Sequence, residues 1–291
     1  MTGANSGLGF ETALGLAGAG AEVFLACRDR GRCGRAIDEI RAAVPGAALE
    51  PLDLDLADLA SVRAAAAAFS AKRGALHLLV NNAGVMALPE GRTADGFERQ
   101  LGTNHLGHFA LTGLLLEPLC RAPGARVVVV SSLMHRFGRV PTGDLRAARP
   151  YSRWGAYCDS KLANLSFALE LGRRAAAAGL PIAVAAAHPG YTATELVFGG
   201  ARMEGARWKA AFMRLGNRLV GQPAATGALP TLYAAAAEGV ASGDYFGPSG
   251  LFELKGPPRM VRVSARARDA EAAGRLWAAS AEATGVRYLM A

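Results

Sequence analysis

Hydrophobic and polar positions follow two different periods along this chain. Short apolar runs, several of them rich in Val, Ile or Ala, alternate with longer segments that have helical periodicity. The predicted strands are Ala21–Ala26, Ala47–Leu52, Leu76–Val80, Arg126–Val130 and Ile182–Ala187, and the predicted helices are Phe10–Ala19, Arg35–Val44, Leu59–Lys72, Ala94–Leu119 and Ala156–Ala178. Such alternation is typical of an α/β fold in which a doubly wound parallel sheet carries helices on both faces.

The pattern contains no internal repeat and no linker, so residues 1–291 are predicted to form a single domain. At about residues 191–222, aromatic residues and Met mix with Arg, Lys and Gly. This segment is either a surface helix with a core-facing stripe or a mobile lid over a substrate. Its position after a predicted strand favours the lid, because open α/β sheets bind ligands at the carboxyl ends of their strands.

The amino-acid composition argues against several kinds of binding partner. Hydrophobic residues make up 51% of the chain, and the net charge of +8 comes mostly from scattered arginines. No Lys/Arg run is interleaved with aromatic residues, which argues against a nucleic-acid partner. The four cysteines show no metal-ligand spacing, so we expect reduced thiols, no metal site and a cytoplasmic protein. No apolar run reaches the ~18 residues needed to span a bilayer.

Candidate chemistry begins at the second residue, with the string Thr-Gly-Ala-Asn-Ser-Gly-Leu-Gly. In a loop of this kind Gly3 allows a tight turn, Gly7 lets the backbone approach a pyrophosphate, and Gly9 lets helix and strand pack closely. The following helix offers its unpaired N–H groups to phosphates. Loop and alternation together predict a Rossmann-type, dinucleotide-binding fold.

Only Met1 precedes this loop, although a buried strand normally leads into it. The first strand would lie in the centre of the sheet, between Ala21–Ala26 and Leu76–Val80, and we predict that it is missing from this sequence. About five buried side chains at ~1.5–3 kcal/mol each would be lost, against a net stability of ~5–15 kcal/mol. We therefore expect the true start to lie upstream of Met1, and an N-terminally truncated, inactive form is one alternative.

The cofactor type is suggested by the residues after the strand Ala21–Ala26. An NAD enzyme carries a carboxylate here to hold the adenosine ribose, but this chain has Cys27 followed by Arg28. A guanidinium suits a 2′-phosphate, which it can bind through two hydrogen bonds. Asp29 comes one residue later, so NADP(H) is preferred and NAD(H) is possible.

The strongest catalytic signal is Tyr157-Cys158-Asp159-Ser160-Lys161. On a helix, Tyr157 and Lys161 project from the same face. A tyrosine with a pKa near ~10 is a poor acid–base catalyst at neutral pH, and a neighbouring ammonium lowers that pKa. Ser132, at the end of a predicted strand, adds a hydroxyl group.

The chain resembles the short-chain dehydrogenase/reductase family in the order and spacing of four motifs. These are the glycine loop, Asn-Asn-Ala-Gly, Ser-Ser and Tyr-x-x-x-Lys. Further strings are similar to its retinol dehydrogenase and protochlorophyllide reductase branch: Ala26–Asp29, Thr103–Phe109, Ser160–Asn164 and Arg275–Trp277. The resemblance implies that Tyr157 is the general acid/base, that Lys161 lowers its pKa and holds the nicotinamide ribose, and that Ser132 binds the substrate oxygen. It also implies that Asn104 anchors a water linked to Lys161.

The cofactor-binding positions implied by the loop, Arg28 and the resemblance are Gly3, Asn5, Ser6, Gly7, Leu8, Gly9, Arg28, Asp55, Leu56, Asn81, Ala83, Gly84, Tyr157, Lys161, Pro189, Gly190, Thr192 and Thr194. The expected activity is hydride transfer between NADP(H) and a lipophilic carbonyl or alcohol. The reason is that the lid and the stretch between Ser132 and Tyr157, which contains Met134, Phe137 and Trp154, are both rich in apolar groups. His135 is expected in a surface loop. A non-catalytic redox sensor is the alternative, and a homo-dimer or tetramer is implied by resemblance alone.

Overall fold

The computed structural model describes residues 1–146, 150–192 and 222–288. The helices are α1 (Gly7–Gly18), α2 (Arg30–Ala43), α3 (Leu59–Lys72), α4 (Arg99–Leu101), α5 (Gly107–Leu114), α6 (Leu116–Arg121), α7 (Arg153–Ala177), α8 (Ala224–Ala236) and α9 (Ala270–Thr284). The strands are β1 (Val23–Cys27), β2 (Leu49–Asp53), β3 (Leu78–Asn81), β4 (Ala125–Val130), β5 (Ile182–Ala187), β6 (Tyr245–Pro248) and β7 (Pro258–Met260).

The predicted parallel sheet flanked by helices is confirmed. Strands β3, β4, β5 and β6 pair in this order in parallel, and β1 pairs with β2 in parallel. Val127 and Val129 face a core cluster that includes Leu162 of α7, whereas Val128 faces a different cluster. A strand that is buried on both faces has no polar alternation, which is why β4 reads as a continuous apolar run.

No strand among the described residues lies between β1 and β3. Met1 and Thr2 occupy this position at the carboxyl ends of both strands. The N–H of Ala26 donates to the Met1 oxygen (2.9 Å), and the Thr2 N–H donates to the Val80 oxygen (3.0 Å). Two residues thus connect the β1–β2 pair to the five-stranded sheet at the point where the glycine loop begins.

Two predicted helix starts are wrong by five residues, and side-chain caps explain both. Helix α2 begins at Arg30 rather than at Arg35, because the Asp29 carboxylate accepts a hydrogen bond from the Arg32 N–H. The long helix predicted from Ala94 begins only at Arg99, where Glu98 accepts from two N–H groups of the first turn. This helix is also interrupted by a π-helical turn at Gly102–Leu106.

The C-terminal elements α8, β6, β7 and α9 were not predicted. Strand β7 runs antiparallel to β6 at the sheet edge, so the sheet is not wholly parallel. Trp277 of α9 packs against Phe109 and Phe167, at ring-centre distances of 5.1 and 6.0 Å. None of the described helices is long and apolar enough to cross a membrane. The predicted lid falls outside the described residues, apart from Tyr191, Thr192 and Gln222.

Candidate active site

The glycine loop folds as a cradle at the start of α1. Gly3 and Gly7 have φ values of +64° and +53°, the left-handed region that glycine adopts without steric cost. A Cβ on Gly9 would overlap the carbonyl oxygen of Gly3, so the close packing predicted at Gly9 is present. Ser6 precedes α1, and its side chain makes no capping hydrogen bond. The first-turn N–H groups of α1 are therefore not capped by Ser6, and such groups bind anions.

Thr2 connects the glycine cradle by hydrogen bonds to the segment after β3 and to α5. Its buried Oγ1 accepts hydrogen bonds from the N–H groups of Asn82 (3.0 Å) and Ala83 (2.9 Å), and it lies 2.9 Å from His108 Nε2. His108 Nδ1 is 2.8 Å from the Asn104 carbonyl oxygen, which can only accept, so Nδ1 carries the proton. Nε2 then accepts from Thr2. Sequence reasoning missed Thr2, Asn82 and His108 as site residues.

The two polar residues after β1, where the adenosine end of a dinucleotide is predicted, have different environments. Asp29 caps α2, and its Oδ1 accepts from the Arg32 N–H at 2.9 Å. The Arg28 side chain is 76% exposed, and its Nη1 lies 3.8 Å from Asp55 Oδ2. Leu56 is buried, and a Cβ on Gly107 of α5 would overlap its backbone oxygen. The structure thus brings Arg28 and Asp55 together, while the Leu56 side chain belongs to the core.

The residues after β3 lie between the cradle and α7. Asn81 is buried and donates from Nδ2 to Thr112 Oγ1 (2.8 Å), so its side chain packs toward α5. A Cβ on Gly84 would lie 3.3 Å from Asn104 Oδ1 and 3.4 Å from Lys161 Nζ. The absence of a side chain at Gly84 leaves this place open beside the ammonium group of Lys161.

Ser132, Tyr157 and Lys161 converge at the carboxyl end of β4. Ser132 precedes a 3₁₀ turn at Leu133–Phe137, and its Oγ accepts from the Met134 N–H (3.2 Å). Its hydroxyl also acts on Tyr157, where it lowers the pKa of the phenol. Lys161 Nζ donates to the Val130 oxygen (3.1 Å) and lies 5.9 Å from the centre of the Tyr157 ring. The motifs that contain these three residues are separate along the chain, but they lie at one place in the fold.

The charge states of this group differ from the sequence prediction. Burial raises the pKa of Tyr157 to about 12, although the hydrogen bond with Ser132 lowers it. Burial also lowers the pKa of Lys161 to about 8. Lys161 is not among the groups that shift the Tyr157 pKa in the protein without a bound cofactor, so the predicted lowering is not found there. At neutral pH Tyr157 is a phenol and Lys161 is mainly charged.

Asn104 lies in the π-helical turn and is fully buried. Its Oδ1 accepts from the Val85 N–H (2.7 Å), and its Nδ2 donates to the Val85 oxygen (2.9 Å) and to Ser160 Oγ (2.9 Å). The side chain thereby ties the segment after Gly84 to α7. A π-helical turn of this kind often marks a functional position in a helix. The water predicted at Asn104 stays a prediction.

His135 is not in a surface loop, so that expectation is wrong. It is fully buried, its Nδ1 donates to the Ser132 carbonyl oxygen (2.6 Å), and its ring packs edge-on against Tyr245. Burial lowers the pKa of His135 to about 4, so it is neutral. In contrast, Phe137 and Trp154 are exposed.

The last predicted segment follows β5. Gly190 has a φ of +68°, and Pro189 accepts hydrogen bonds at its carbonyl oxygen from Thr192 Oγ1 (3.0 Å) and Gln222 Nε2 (2.6 Å). Thr194 lies outside the described residues. The Pro189–Gly190 segment and the Ser132 turn thus follow neighbouring strands of the sheet.

A separate cavity of about 440 Å³ lies beside the start of α7, and neither Ser132, Tyr157 nor Lys161 lines it. Its lining residues are Glu90, Gly91, Arg92, Glu98, Leu101, Phe137, Arg139, Pro141, Asp144, Leu145, Pro150, Tyr151, Ser152, Gly155, Ala156 and Asp159. Among the residues with described positions, no group of three His, Cys, Asp or Glu could hold a metal ion.

Comparison with known proteins identifies the family. The family model described as short chain dehydrogenase matches residues 1–202. The chain belongs to this family. Retinol dehydrogenase 12 of Homo sapiens is 43% identical, over 99% of this chain and 86% of the relative. Polyprenol dehydrogenase of Mus musculus is 44% identical, over 98% and 83%. A crystal structure of an uncharacterised protein from Mycobacterium paratuberculosis has a TM-score of 0.79 and 43% identity, covering 99% of this chain and 92% of that one.

These similarities confirm a short-chain dehydrogenase of the retinol dehydrogenase-like branch and an oxidoreductase fold. The family binds nicotinamide cofactors. The glycine cradle fits such a cofactor, because Ser6 leaves the first-turn N–H groups of α1 uncapped and such groups bind phosphates. The buried Lys161 adds a positive charge beside Gly84.

Proposed function

We propose that this short-chain dehydrogenase transfers hydride between NADP(H) and a lipophilic alcohol or carbonyl compound, with Tyr157 as the general acid/base. The observation that carries the proposal is the convergence of Ser132, Tyr157 and Lys161 beside the glycine cradle. Bound nicotinamide would supply or accept the hydride. The chain's own residues hold the substrate oxygen and move the proton.

In the reducing direction, Tyr157 donates its phenolic proton to the carbonyl oxygen as that oxygen gains charge. Its raised pKa keeps the proton in place until then. Ser132 hydrogen-bonds the Tyr157 side chain and presents its hydroxyl to the same oxygen. Lys161 keeps a positive charge nearby, which favours the phenolate that remains. In the oxidising direction the phenolate accepts the alcohol proton.

The preference for NADP(H) rests on Arg28 and Asp29. The Asp29 carboxylate is occupied by the capping of α2, which removes the acidic group that could hold both ribose hydroxyls. Arg28 is exposed and is held only loosely, 3.8 Å from Asp55. Its guanidinium is therefore free to turn toward a 2′-phosphate and bind it through two hydrogen bonds.

The lipophilic substrate class rests on the relatives and on exposed apolar groups. The two curated relatives carry the names of a retinol and a polyprenol dehydrogenase. Phe137 and Leu251 are 72% and 78% exposed, next to the pair Arg136–Glu253 that borders the site. An apolar rim of this kind suits a hydrocarbon chain beside a polar reacting end.

The test is Tyr157→Phe, assayed by NADPH oxidation with retinal and with a long-chain polyprenal. We expect kcat to fall by about 10²–10⁴-fold, the usual contribution of general acid–base catalysis, with NADPH binding retained. The matched control is Tyr151→Phe, since the Tyr151 hydroxyl donates to the Leu88 oxygen and lies outside the catalytic group. Unchanged turnover in Tyr157→Phe would contradict the proposal, and NADPH binding without turnover in the unaltered protein would favour a sensor.

A further inference from the structure

The Glu253 carboxylate lies in the loop of residues 249–257 between β6 and β7, and it connects two sides of the active site. Its Oε2 accepts a hydrogen bond from Arg136 Nη2 (2.7 Å) and lies 3.1 Å from His188 Nε2. Arg136 belongs to the 3₁₀ turn that follows Ser132, whereas His188 directly precedes Pro189. One carboxylate therefore touches both the Ser132 turn and the segment after β5.

The hydrogen-bonding roles at His188 are fixed by its neighbours. The Gly190 N–H donates to Nδ1 (3.2 Å), so Nδ1 is an acceptor and Nε2 carries the proton that is donated to Glu253. The ring is fully buried, and a Cβ on Gly247 would overlap it. His188 thus transmits the position of Glu253 directly to the backbone of Gly190.

The loop that carries Glu253 is conformationally strained. Phe252 and Glu253 have φ values of +53° and +58°, which cost an L-residue roughly 1–2 kcal/mol each. Apolar burial does not offset this conformational free energy, because Leu251 and Phe252 are 78% and 73% exposed. Backbone hydrogen bonds close the loop at its base, such as Ser249 N–H to the Pro257 oxygen (2.8 Å). The Glu253 side chain and the Tyr191 N–H, which donates to the Leu254 oxygen (2.8 Å), tie the loop to the neighbouring segments. Strain that persists without burial is often linked to function.

We propose that Glu253 is a positioning residue, which fixes the Pro189–Gly190 segment against the Ser132 turn so that the nicotinamide half of the cofactor is held correctly. This inference rests on the proposed function, because it assumes that the segment contacts the nicotinamide. The Glu253 side chain is only 14% exposed and its His188 partner is fully buried. Hydrogen bonds to a carboxylate that is shielded in this way are stronger than those of exposed ion pairs.

The test compares two ligands by titration calorimetry: NADPH, and adenosine 2′,5′-bisphosphate, which lacks the nicotinamide half. Glu253→Ala removes both hydrogen bonds to the carboxylate. We expect NADPH binding to weaken at least about 10-fold, the effect of a single charge-assisted hydrogen bond, while the bisphosphate binds unchanged. In Glu253→Gln the amide oxygen can still accept from both partners, so NADPH binding stays within about 3-fold. The control is Glu271→Ala, which breaks an exposed pair with Arg275 on α9 and changes neither ligand.

A double variant shows whether Glu253 acts through His188. In His188→Asn, the amide oxygen can replace Nδ1 as the acceptor for Gly190, while the donor to Glu253 is lost. If the two residues form one connection, His188→Asn combined with Glu253→Ala weakens NADPH no more than Glu253→Ala alone. Additive losses overturn the proposed connection.

Two further outcomes distinguish the inference from the proposed function. Equal weakening of both ligands in Glu253→Ala, or no weakening of NADPH, overturns the positioning role and leaves the cofactor assignment intact. If the unaltered protein binds neither NADPH nor the bisphosphate, the NADP(H) assignment fails and the inference fails with it. Thermal unfolding of each variant reports whether a loss of binding merely follows a loss of folded protein.

Discussion

The catalytic region and the adenosine region of this short-chain dehydrogenase are built in different ways. Around β4 and α7, buried groups bind one another: Lys161 donates to Val130, and Ser131 Oγ donates to the Lys161 oxygen at 2.8 Å. Around β1 and β2, the charged side chains are exposed, as in the pair of Arg30 and Asp53, whose side chains are 83% and 54% exposed. The proposed acid–base groups are thus buried and hydrogen-bonded, while the charged groups at the proposed adenosine end are exposed.

The comparison teaches that the two regions can change independently. Removing the partner of a buried hydrogen-bonded group costs about 1–3 kcal/mol of stability, whereas an exposed ion pair contributes about 0–1 kcal/mol. Substitutions in the adenosine region can therefore alter cofactor choice at little cost in stability. Substitutions in the catalytic region alter activity and stability together, not always in the same direction.

Lys161→Met is expected to have the largest effect on activity. It removes the charge that favours the Tyr157 phenolate, so we expect kcat to fall at least about 10²-fold. Stability changes in the opposite direction. A pKa of about 8 instead of 10.5 means that the buried ammonium costs about 3 kcal/mol at pH 7, and the methionine side chain removes this cost. Urea unfolding at pH 7 measures the gain.

The pH dependence of the free energy of unfolding tests whether the buried Lys161 ammonium is the source of this cost. Because the folded pKa of Lys161 lies below the unfolded one, the unfolded chain binds more protons between about pH 8 and pH 10.5. The free energy of unfolding of the unaltered protein therefore rises with pH in this window. In Lys161→Met this contribution to the rise disappears. If both proteins show the same slope, the ammonium is not the source of the cost.

Thr2→Val breaks the connection between the two regions, and we expect an intermediate effect. The isosteric side chain leaves the N–H groups of Asn82 and Ala83, and His108 Nε2, without their partner. An unsatisfied buried group costs about 1–3 kcal/mol, so the free energy of unfolding is expected to fall by at least about 2 kcal/mol. Thr2→Ser, which keeps the hydroxyl, stays within about 1 kcal/mol of the unaltered protein. Equal losses in both variants would show that the methyl group matters rather than the hydroxyl.

Arg28→Ala is expected to have the smallest effect on stability and to act on cofactor choice alone. Since the side chain is 76% exposed, its removal leaves the thermal midpoint nearly unchanged. We expect the KM for NADPH to rise about 10-fold and the KM for NADH to change little, because only the former carries a 2′-phosphate. Arg30→Ala is the control, since Arg30 pairs with Asp53 instead. Equal weakening of both cofactors would exclude the role in binding the 2′-phosphate.

The sequence predicted the parts that depend on local pattern. Residues 182–187 and 59–72 were predicted as strand and helix with the bounds that the structure has. The motif order also predicted that Ser132 and Tyr157 meet, because strand ends and the following helices lie at one edge of a parallel sheet. These features follow from periodicity and from the few topologies that a parallel sheet allows.

The tertiary structure decided what depends on surroundings. Three properties of the site depend on the packing of the folded chain. They are the partner of the Asp29 carboxylate, the burial of His135 and the direction in which the Tyr157 pKa moves. The role of Glu253 is decided in the same way, since Arg136 and His188 lie 117 and 65 residues from it along the chain. The sequence by itself determined which chemical groups are present, and only the packing of the strands determined which of them are buried, paired and charged.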